Sequence, residues 1–416
     1  MNHVIIGNGP AGVLAAETIR KHDPNAAVRL LGDEASPPYS RMAIPYLLSG
    51  EIDERGTLLR KDPAHFERLG IESLTSRAKS IDLRQGAVAL EDGRRLPFDR
   101  LLLATGSRPI APPIPGADLP GVHPCWTLED ARHILRIAKP GARVVQMGAG
   151  FIGCIILEAL ASMGVSLTVV EMGNRMVPRM MTETAGGLIK RWCESKGVKV
   201  LTSTRVEAIS RSKSEALEVK LADGQVLAAD LVISATGVRP NIDLANAMGL
   251  KTDVGVRVDD AMRTSDPTVF AAGDVAQAEE IYTGHFIVNA IQPNAVDQSR
   301  IAATNMAGGR ARSQGSMAIN VLETMGLVAA SFGQWQGVPG GDAVEYADVE
   351  GYRYISLQFD RETRVVGATA IGLTEHVGVL RGLIQSRRPL GKWQAHLRCD
   401  PFDVMKAYLA TAQAAA

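Results

Sequence analysis

Two glycine turns of identical spacing, Gly7-x-Gly9-x-x-Gly12 and Gly148-x-Gly150-x-x-Gly153, constrain this chain more than any other feature. Each follows a short apolar run, Val4-Ile5-Ile6 in the first case and Val144, Val145 and Met147 in the second, as buried parallel strands should. Each also precedes a stretch that reads as a helix. In a turn of this kind the first glycine permits a tight bend, the second lets the backbone approach a pyrophosphate, and the third lets helix pack on strand. The helix N-terminus then faces the phosphates. One such turn is weak evidence, because glycine-rich turns are common. Two in matching contexts imply two bound dinucleotides and an α/β fold with two Rossmann-like domains.

The acid that follows each unit separates the two turns. Glu171 ends the run Leu167-Thr168-Val169-Val170, near the distance at which a carboxylate meets a ribose 2'-hydroxyl, and no arginine follows it directly to hold a 2'-phosphate. NADH is therefore expected there in preference to NADPH. In the first unit the place after Val28-Arg29-Leu30-Leu31 is Gly32, so the ribose contact falls to Asp33, with Glu34 next to it. Leu101-Leu102-Leu103-Ala104-Thr105-Gly106 and Leu231-Val232-Ile233-Ser234-Ala235-Thr236-Gly237 are near-copies, which points to a duplicated unit. Val269-Phe270-Ala271-Ala272-Gly273-Asp274 ends in a carboxylate on a glycine turn, suited to accept hydrogen bonds from a polyol. Taken singly, each of these also reads as a buried strand followed by a tight turn.

Together and in this order the segments resemble the pyridine nucleotide-disulfide oxidoreductases, the two-dinucleotide flavoprotein family, over nearly the whole chain. Pro38-Tyr39-Ser40-Arg41, then Ile44-Pro45-Tyr46-Leu47-Leu48-Ser49-Gly50, and later Gln292-Pro293-Asn294-Ala295-Val296-Asp297-Gln298 are most similar to rubredoxin reductases and the flavin-binding part of NADH-dependent nitrite reductases. The resemblance implies a hydride taken from NADH onto FAD and electrons passed to a partner. It implies that Gly7, Gly9, Gly12, Asp33, Arg41, Ala78, Thr105, Gly106 and Asp274 hold FAD. Asn294 would sit at a helix start whose dipole faces the flavin pyrimidine edge. Gly148, Gly150, Ile152, Gly153, Glu171 and Gly237 would line the NADH site.

Forty-five basic and forty-five acidic residues balance, which argues against bulk attraction to nucleic acid or an anionic membrane. No apolar run approaches a membrane span. A strand beginning by Val4 leaves no room for a signal peptide, so a cytoplasmic location is expected. The four cysteines, Cys125, Cys154, Cys193 and Cys399, include no Cys-x-x-Cys or Cys-x4-Cys pair and no metal-ligand spacing. Branches of the family with a single redox cysteine place it before a segment similar to Ala43-Ile44-Pro45-Tyr46, where this chain has Met42. A thiol-disulfide mechanism is not expected. Cys154 reads either as a thiol with its pKa lowered at a helix start or as a small core residue.

Three positions depart from the family pattern. Relatives pair a lysine near the flavin with a glutamate after the second turn; here those places read Tyr46 and Ile155. Losing both charges together leaves neither one buried alone. Where relatives read Leu-Arg-Thr-x-x-Asp-Ala, this chain reads Cys125-Trp126-Thr127-Leu128-Glu129-Asp130-Ala131, and Trp126 reads as a stacking residue or as core.

The expected organisation is an FAD domain from 1–112 and 241–315, an inserted NADH domain at 113–240, and a small α+β cap at 316–416. The proline-rich Pro109–Gly116 segment is the expected crossing. Tyr352–Phe359 alternates as a half-exposed strand should, Arg361-Glu362-Thr363 marks a turn, and Glu375–Gln385 reads as a helix. The Ala-rich end from Thr411 is expected to fray. In the family the cap packs by the flavin or forms a subunit interface, hence a homo-oligomer. Arg381, Arg387, Arg388, Lys392, His396 and Arg398 lie in a stretch without acids, which reads as a solvated surface or as a dock for an acidic electron carrier. His376 and Glu323 are lone polar residues in apolar context. Two functional readings follow: an NADH-oxidising FAD enzyme that reduces a carrier, or a flavin-holding subunit of a larger complex with an altered nicotinamide site.

Overall fold

The computed structural model describes residues 1–212, 216–373, 375 and 377–413. They divide into two compact units, Met1–Ile110 with Val238–Met317, and Ala111–Gly237 with Ala318–Ala416.

The first unit is built on a parallel sheet of five strands in the order Val269–Ala271, Arg100–Leu103, Asn2–Ile6, Ala27–Gly32 and Ile71–Thr75. Its inner strands are largely runs of Val, Ile and Leu, because both faces are covered, whereas the edge strand Ile71–Thr75 exposes Glu72 and Ser73. Val4, Ile5, Leu30, Leu101 and Leu102 are all fully buried. Helix Pro10–His22 starts with Pro10, where a missing N–H leaves nothing unsatisfied. It buries Ala11, Val13, Ala15, Ala16 and Ile19. Its small residues let it lie close to helix Gln292–Met306, which buries Ala295, Ala302 and Ala303.

The second unit repeats this plan. Its parallel sheet runs Lys199–Leu201, Ser166–Val170, Arg143–Met147, Leu231–Ser234 and Val122–Pro124. A three-stranded antiparallel sheet is inserted in both units, Ala78–Asp82 with Ala87–Leu90 and Arg95–Pro97 before strand Arg100–Leu103, and Val206–Arg211 with Leu217–Leu221 and Val226–Ala229 before strand Leu231–Ser234. The sheets differ in their edge strand. The first takes Val269–Ala271 from sequence after Arg100–Leu103, the second takes Val122–Pro124 from sequence before Arg143–Met147. The outgoing segment Ser107–Pro109 and the returning segment Val238–Pro240 pair as an antiparallel ribbon.

The second unit also holds a five-stranded antiparallel sheet in the order Ile319–Thr324, Leu327–Gly333, Val365–Ile371, Arg353–Phe359 and Asp342–Asp348. Here one reading of the sequence is corrected. Arg353–Phe359 is not half exposed: Tyr354, Ile355, Ser356, Leu357 and Phe359 are buried, so both of its faces are covered. Helix Val377–Ser386 packs on the neighbouring strands, while Thr182 Oγ1 and Trp192 Nε1 reach Tyr354 Oη (2.8 Å) and the Thr324 carbonyl (3.1 Å). The chain end is helical from Val404 to Gln413, running through Thr411, whose hydroxyl donates to the Ala407 carbonyl at 3.0 Å. Burial of Val404 and Ala407 anchors the start of that helix, and of the stretch from Thr411 expected to fray, residues 414–416 lie outside the described residues.

Candidate functional site

In both units the candidate residues gather at the C-terminal ends of the parallel strands, the edge at which doubly wound sheets bind their ligands. Gly7 and Gly148 adopt φ of 111° and 97°, and a side chain on either would be driven into the carbonyl of Ala104 or Ala235. A side chain on Gly12 or Gly153 would strike the carbonyl of Gly7 or Gly148. Gly9 and Gly150 differ. Their φ values, −71° and −73°, suit any residue, and a side chain at either would meet nothing of the chain within 4 Å. The open space beside them is the cradle a phosphate would occupy.

The helix ends agree with that. Pro10–His22 and Phe151–Ser162 have neither a capping side chain nor an acid in the first turn, so their first N–H groups stay available to an anion. By contrast Thr127 and Thr182 cap helices Leu128–Ile137 and Glu183–Ser195. These features fit a pyrophosphate at each cradle.

Around the first cradle, Asp33 directly follows Ala27–Gly32 and is exposed. The Asn8 side chain occupies the space a side chain on Gly32 would take. Glu34 is already engaged, accepting from Tyr39 Oη (2.5 Å) and Arg41 Nη2 (2.7 Å). Ser76 N donates to Gly32 O at 2.9 Å, which draws the segment entering Ala78 beside this turn. Thr105 Oγ1 donates to Asn241 O (2.9 Å), Asn241 Nδ2 donates back to Thr105 O (2.7 Å), and Asn241 N donates to Gly106 O (2.9 Å). Asp274 follows Gly273, which has φ of 81° and donates its N–H to buried Gln298 at 2.9 Å. Asp274 Oδ2 accepts from Ser107 Oγ at 2.7 Å. Burial pushes the Asp274 carboxyl above its ordinary range, opposed by the Ser107 hydrogen bond and the nearby charge of Arg41. Asn294 is the third residue of its helix, and its side chain donates to Asn289 O (2.9 Å) and accepts from Ser316 (3.3 Å). It thus fastens the helix start, whose N-terminus has no capping side chain.

Around the second cradle, Glu171 is buried and both its oxygens accept backbone N–H groups, from Ala149 (2.7 Å) and Gly173 (2.7 Å). Gly237, with φ of 116°, turns the chain three residues beyond strand Leu231–Ser234. Ile152 is half-buried in the first helical turn. Arg175 is tied into its own loop through Met181 O (2.9 Å), Asn174 Oδ1 (2.9 Å) and Pro178 O (3.1 Å).

Several open readings close. Cys154 is fully buried with Sγ toward Ala149 O, and burial holds its pKa well above the ordinary thiol value, so it is a core residue. Burial also pushes Cys125 and Cys193 up to about 12. Met42 and Tyr46 are exposed. The Thr127-x-x-Asp130 pattern is a capping box, and Trp126 N also donates to Asp130 (3.1 Å). Glu323 is exposed; His376 lies outside the described residues. In the basic segment Arg398 pairs with Asp342 (2.6 Å), His396 with Asp403 (2.7 Å), and Arg388 donates to Thr411 O (3.2 Å). Arg387 and Lys392 are exposed. Sequence reasoning missed Ser107, Asn241 and Gln298, long-range partners that no local spacing signals, and Gln146, whose bonds to Gly148 O and Gly153 O are local but buried. Among the described residues no helix is long and apolar enough to cross a membrane.

Two Rossmann-like cradles joined in this order define a two-dinucleotide oxidoreductase. Residues 1–307 match the pyridine nucleotide-disulphide oxidoreductase family, and the chain belongs to it. FAD and NAD(H) are the cofactors. The chain is 30% identical over 404 residues to the NADH-dependent phenylglyoxylate dehydrogenase subunit epsilon of Aromatoleum evansii, covering 97% of this chain and 96% of that one. It is 32% identical to a rubredoxin-NAD(+) reductase of Pseudomonas putida, over 73% of this chain and 80% of the relative. The reductase in a covalent putidaredoxin reductase-putidaredoxin complex superposes with a TM-score of 0.90 at 25% identity, covering 99% of both chains.

Proposed function

We propose that this chain takes hydride from NADH onto FAD and passes electrons directly to a rubredoxin- or ferredoxin-like protein carrier, without a redox disulfide. The observation that carries the reading is the second cradle, in which the open space at Gly150 and the buried carboxylate of Glu171 are both kept. FAD, when bound, supplies the conversion of a two-electron donor into single electrons. The chain's part is to hold it: the first glycine turn and Asp33 toward the adenosine half, Thr105, Gly106 and Arg41 along the body, Asp274 toward the ribitol, and the N-terminus of Gln292–Met306 toward the ring. Ala78 would meet the adenine. Gly148, Gly150, Ile152, Gly153, Glu171 and Gly237 would hold NADH. The division into an FAD domain, an NADH domain and a cap belongs to this reading, as do a cytoplasmic location and a homo-oligomer formed through the cap.

A second reading, in which the chain is the flavin-holding subunit of a larger complex, is favoured by the similarity to a dehydrogenase subunit over almost the entire length. Both readings are tested by anaerobic titration of the purified yellow protein, following flavin absorbance. NADH is expected to bleach it at roughly tenfold to a hundredfold lower concentration than NADPH, because a 2'-phosphate beside Glu171 meets a like charge with little screening. Replacing Glu171 by Ala should narrow that ratio. Equal efficiency in the unaltered protein would show that the ribose contact is misplaced, and no bleaching would leave the subunit reading with an inactive nicotinamide site.

A further inference from the structure

The two cradles align position for position, Gly7 against Gly148 and Ile5 against Gln146. Ile5 is fully buried, with a methyl carbon 3.3 Å from where Gly12 would carry a side chain. Gln146 is just as buried, at 0% exposure, yet polar. Its Nε2 donates to Gly148 O (2.9 Å) and to Gly153 O (2.9 Å), so one amide links the first and third glycines of the turn. Both neighbours are acceptors, which dictates the orientation of the amide. Its Oε1 has no hydrogen-bond partner among the described residues.

A buried amide with an orphaned carbonyl destabilises a fold. Isoleucine does the packing in the first cradle without that cost, so packing does not account for the glutamine. The residue between the two leading glycines is held as well: Ala149 donates its N–H to Glu171 and accepts from Val177 N at 2.8 Å. Val177 does this at φ of 44°, a strained conformation for a β-branched residue, above all one that precedes proline. In the first cradle no side chain bonds the carbonyl of Gly7 or Gly12 among the described residues. The contrast matches the ligands. A resident cofactor holds its own cradle in shape, whereas a substrate that leaves every turnover needs one that keeps its shape when empty.

We propose that Gln146 is a positioning residue for NADH: it fixes the Gly148 and Gly153 peptides so that the N–H groups of the turn and helix start stay aimed at the pyrophosphate. This rests on the reading of the second cradle as the NADH site. The test uses FAD-loaded protein carrying Gln146→Leu or Gln146→Ile, the latter reproducing the first cradle, with Gly150→Val as a separate probe of the reading. ADP-ribose affinity, the NADH concentration giving half-maximal flavin reduction, the limiting rate of that reduction, and Tm are measured.

With the brace removed, ADP-ribose affinity and half-saturation by NADH should both worsen roughly tenfold. The limiting rate should hold within about twofold, since the reacting end of the substrate is untouched. Tm should hold or rise, because the orphaned carbonyl is gone. Unchanged ADP-ribose affinity with a lowered Tm would overturn the proposal, and so would failure of both variants, and of Gln146→Met, to fold with FAD, since the glutamine would then be purely structural. If Gly150→Val abolishes ADP-ribose binding while the Gln146 variants leave it intact, only the brace is wrong. If Gly150→Val leaves binding intact, the NADH site itself is misplaced.

Discussion

His3 is the residue whose environment conflicts most with its chemistry. It lies on the central strand that leads into the first glycine turn, is fully buried, and neither ring nitrogen has a partner among the described residues. Burial, helped by the nearby N-terminal ammonium, lowers its pKa from 6.5 to about 4. The sign follows from which state takes the proton. Between these two values the unfolded chain binds a proton that the folded chain refuses, so stability is intact above pH 6.5 and is lost as the pH falls toward 4. At pH 5 the loss amounts to about 2 kcal/mol relative to pH 7.5. Urea unfolding of the native chain and of His3→Val at both pH values checks this: the native chain should lose that much more stability than the variant. Equal losses would show that the imidazole finds a partner or water in solution. Asp274 is the opposite kind of misfit, a carboxylate kept partly out of water at the end of its strand, and one the polyol of a cofactor would satisfy.

At the level of the element, the glycine turns separate what the fold needs from what a ligand needs. Gly12 is pressed on the Gly7 carbonyl, while Gly9 faces nothing of the chain. Gly12→Ala should therefore disrupt the join of strand and helix and lower Tm, whereas Gly9→Ala should leave the apoprotein's Tm unchanged while reducing FAD content several-fold. Absorbance ratio and thermal melts of purified variants measure both. A Gly9→Ala protein that retains full FAD would mean that the open space is not the phosphate cradle. These turns were legible in the sequence because strand, turn and helix are contiguous there, so apolar runs and glycine spacing report them directly. The paired Ala-Thr-Gly strand ends were legible for the same reason. What lay across the fold was not. Ser107 reaches Asp274 over 167 positions and Asn241 reaches Thr105 over 136, and neither bond leaves a local pattern. Gln146 was hidden differently, since within an apolar strand it looks like an interruption and only its depth shows that it is a brace. The burial of Arg353–Phe359 was illegible because alternation cannot tell a solvated face from one covered by a distant helix.

For the molecule as a whole, charge distribution bears on where electrons leave. The chain is neutral overall, yet residues 377–413 carry six Lys or Arg against two Asp. Part of this excess is already used: Arg398 pairs with Asp342 and Arg388 donates to the last helix at Thr411. Arg387 and Lys392 are both exposed and belong to neither cradle, which makes them the probes of a docking role, while Arg388 is left in place because it donates to Thr411 O. If an acidic carrier meets this surface, Arg387→Ser with Lys392→Ser should slow its reduction several-fold at low salt and flatten the salt dependence, because opposite charge acts chiefly on encounter and is screened within about 10 Å at 0.1 M salt. Turnover from NADH to a small uncharged dye should be unchanged, since neither residue belongs to a cradle. Stopped-flow reduction of a rubredoxin or ferredoxin across a range of ionic strength measures the effect. Unchanged carrier kinetics would remove this face as the dock, and an unaltered chain that reduces dyes but no free carrier would favour the subunit reading, in which the acceptor is a fixed neighbour in a complex.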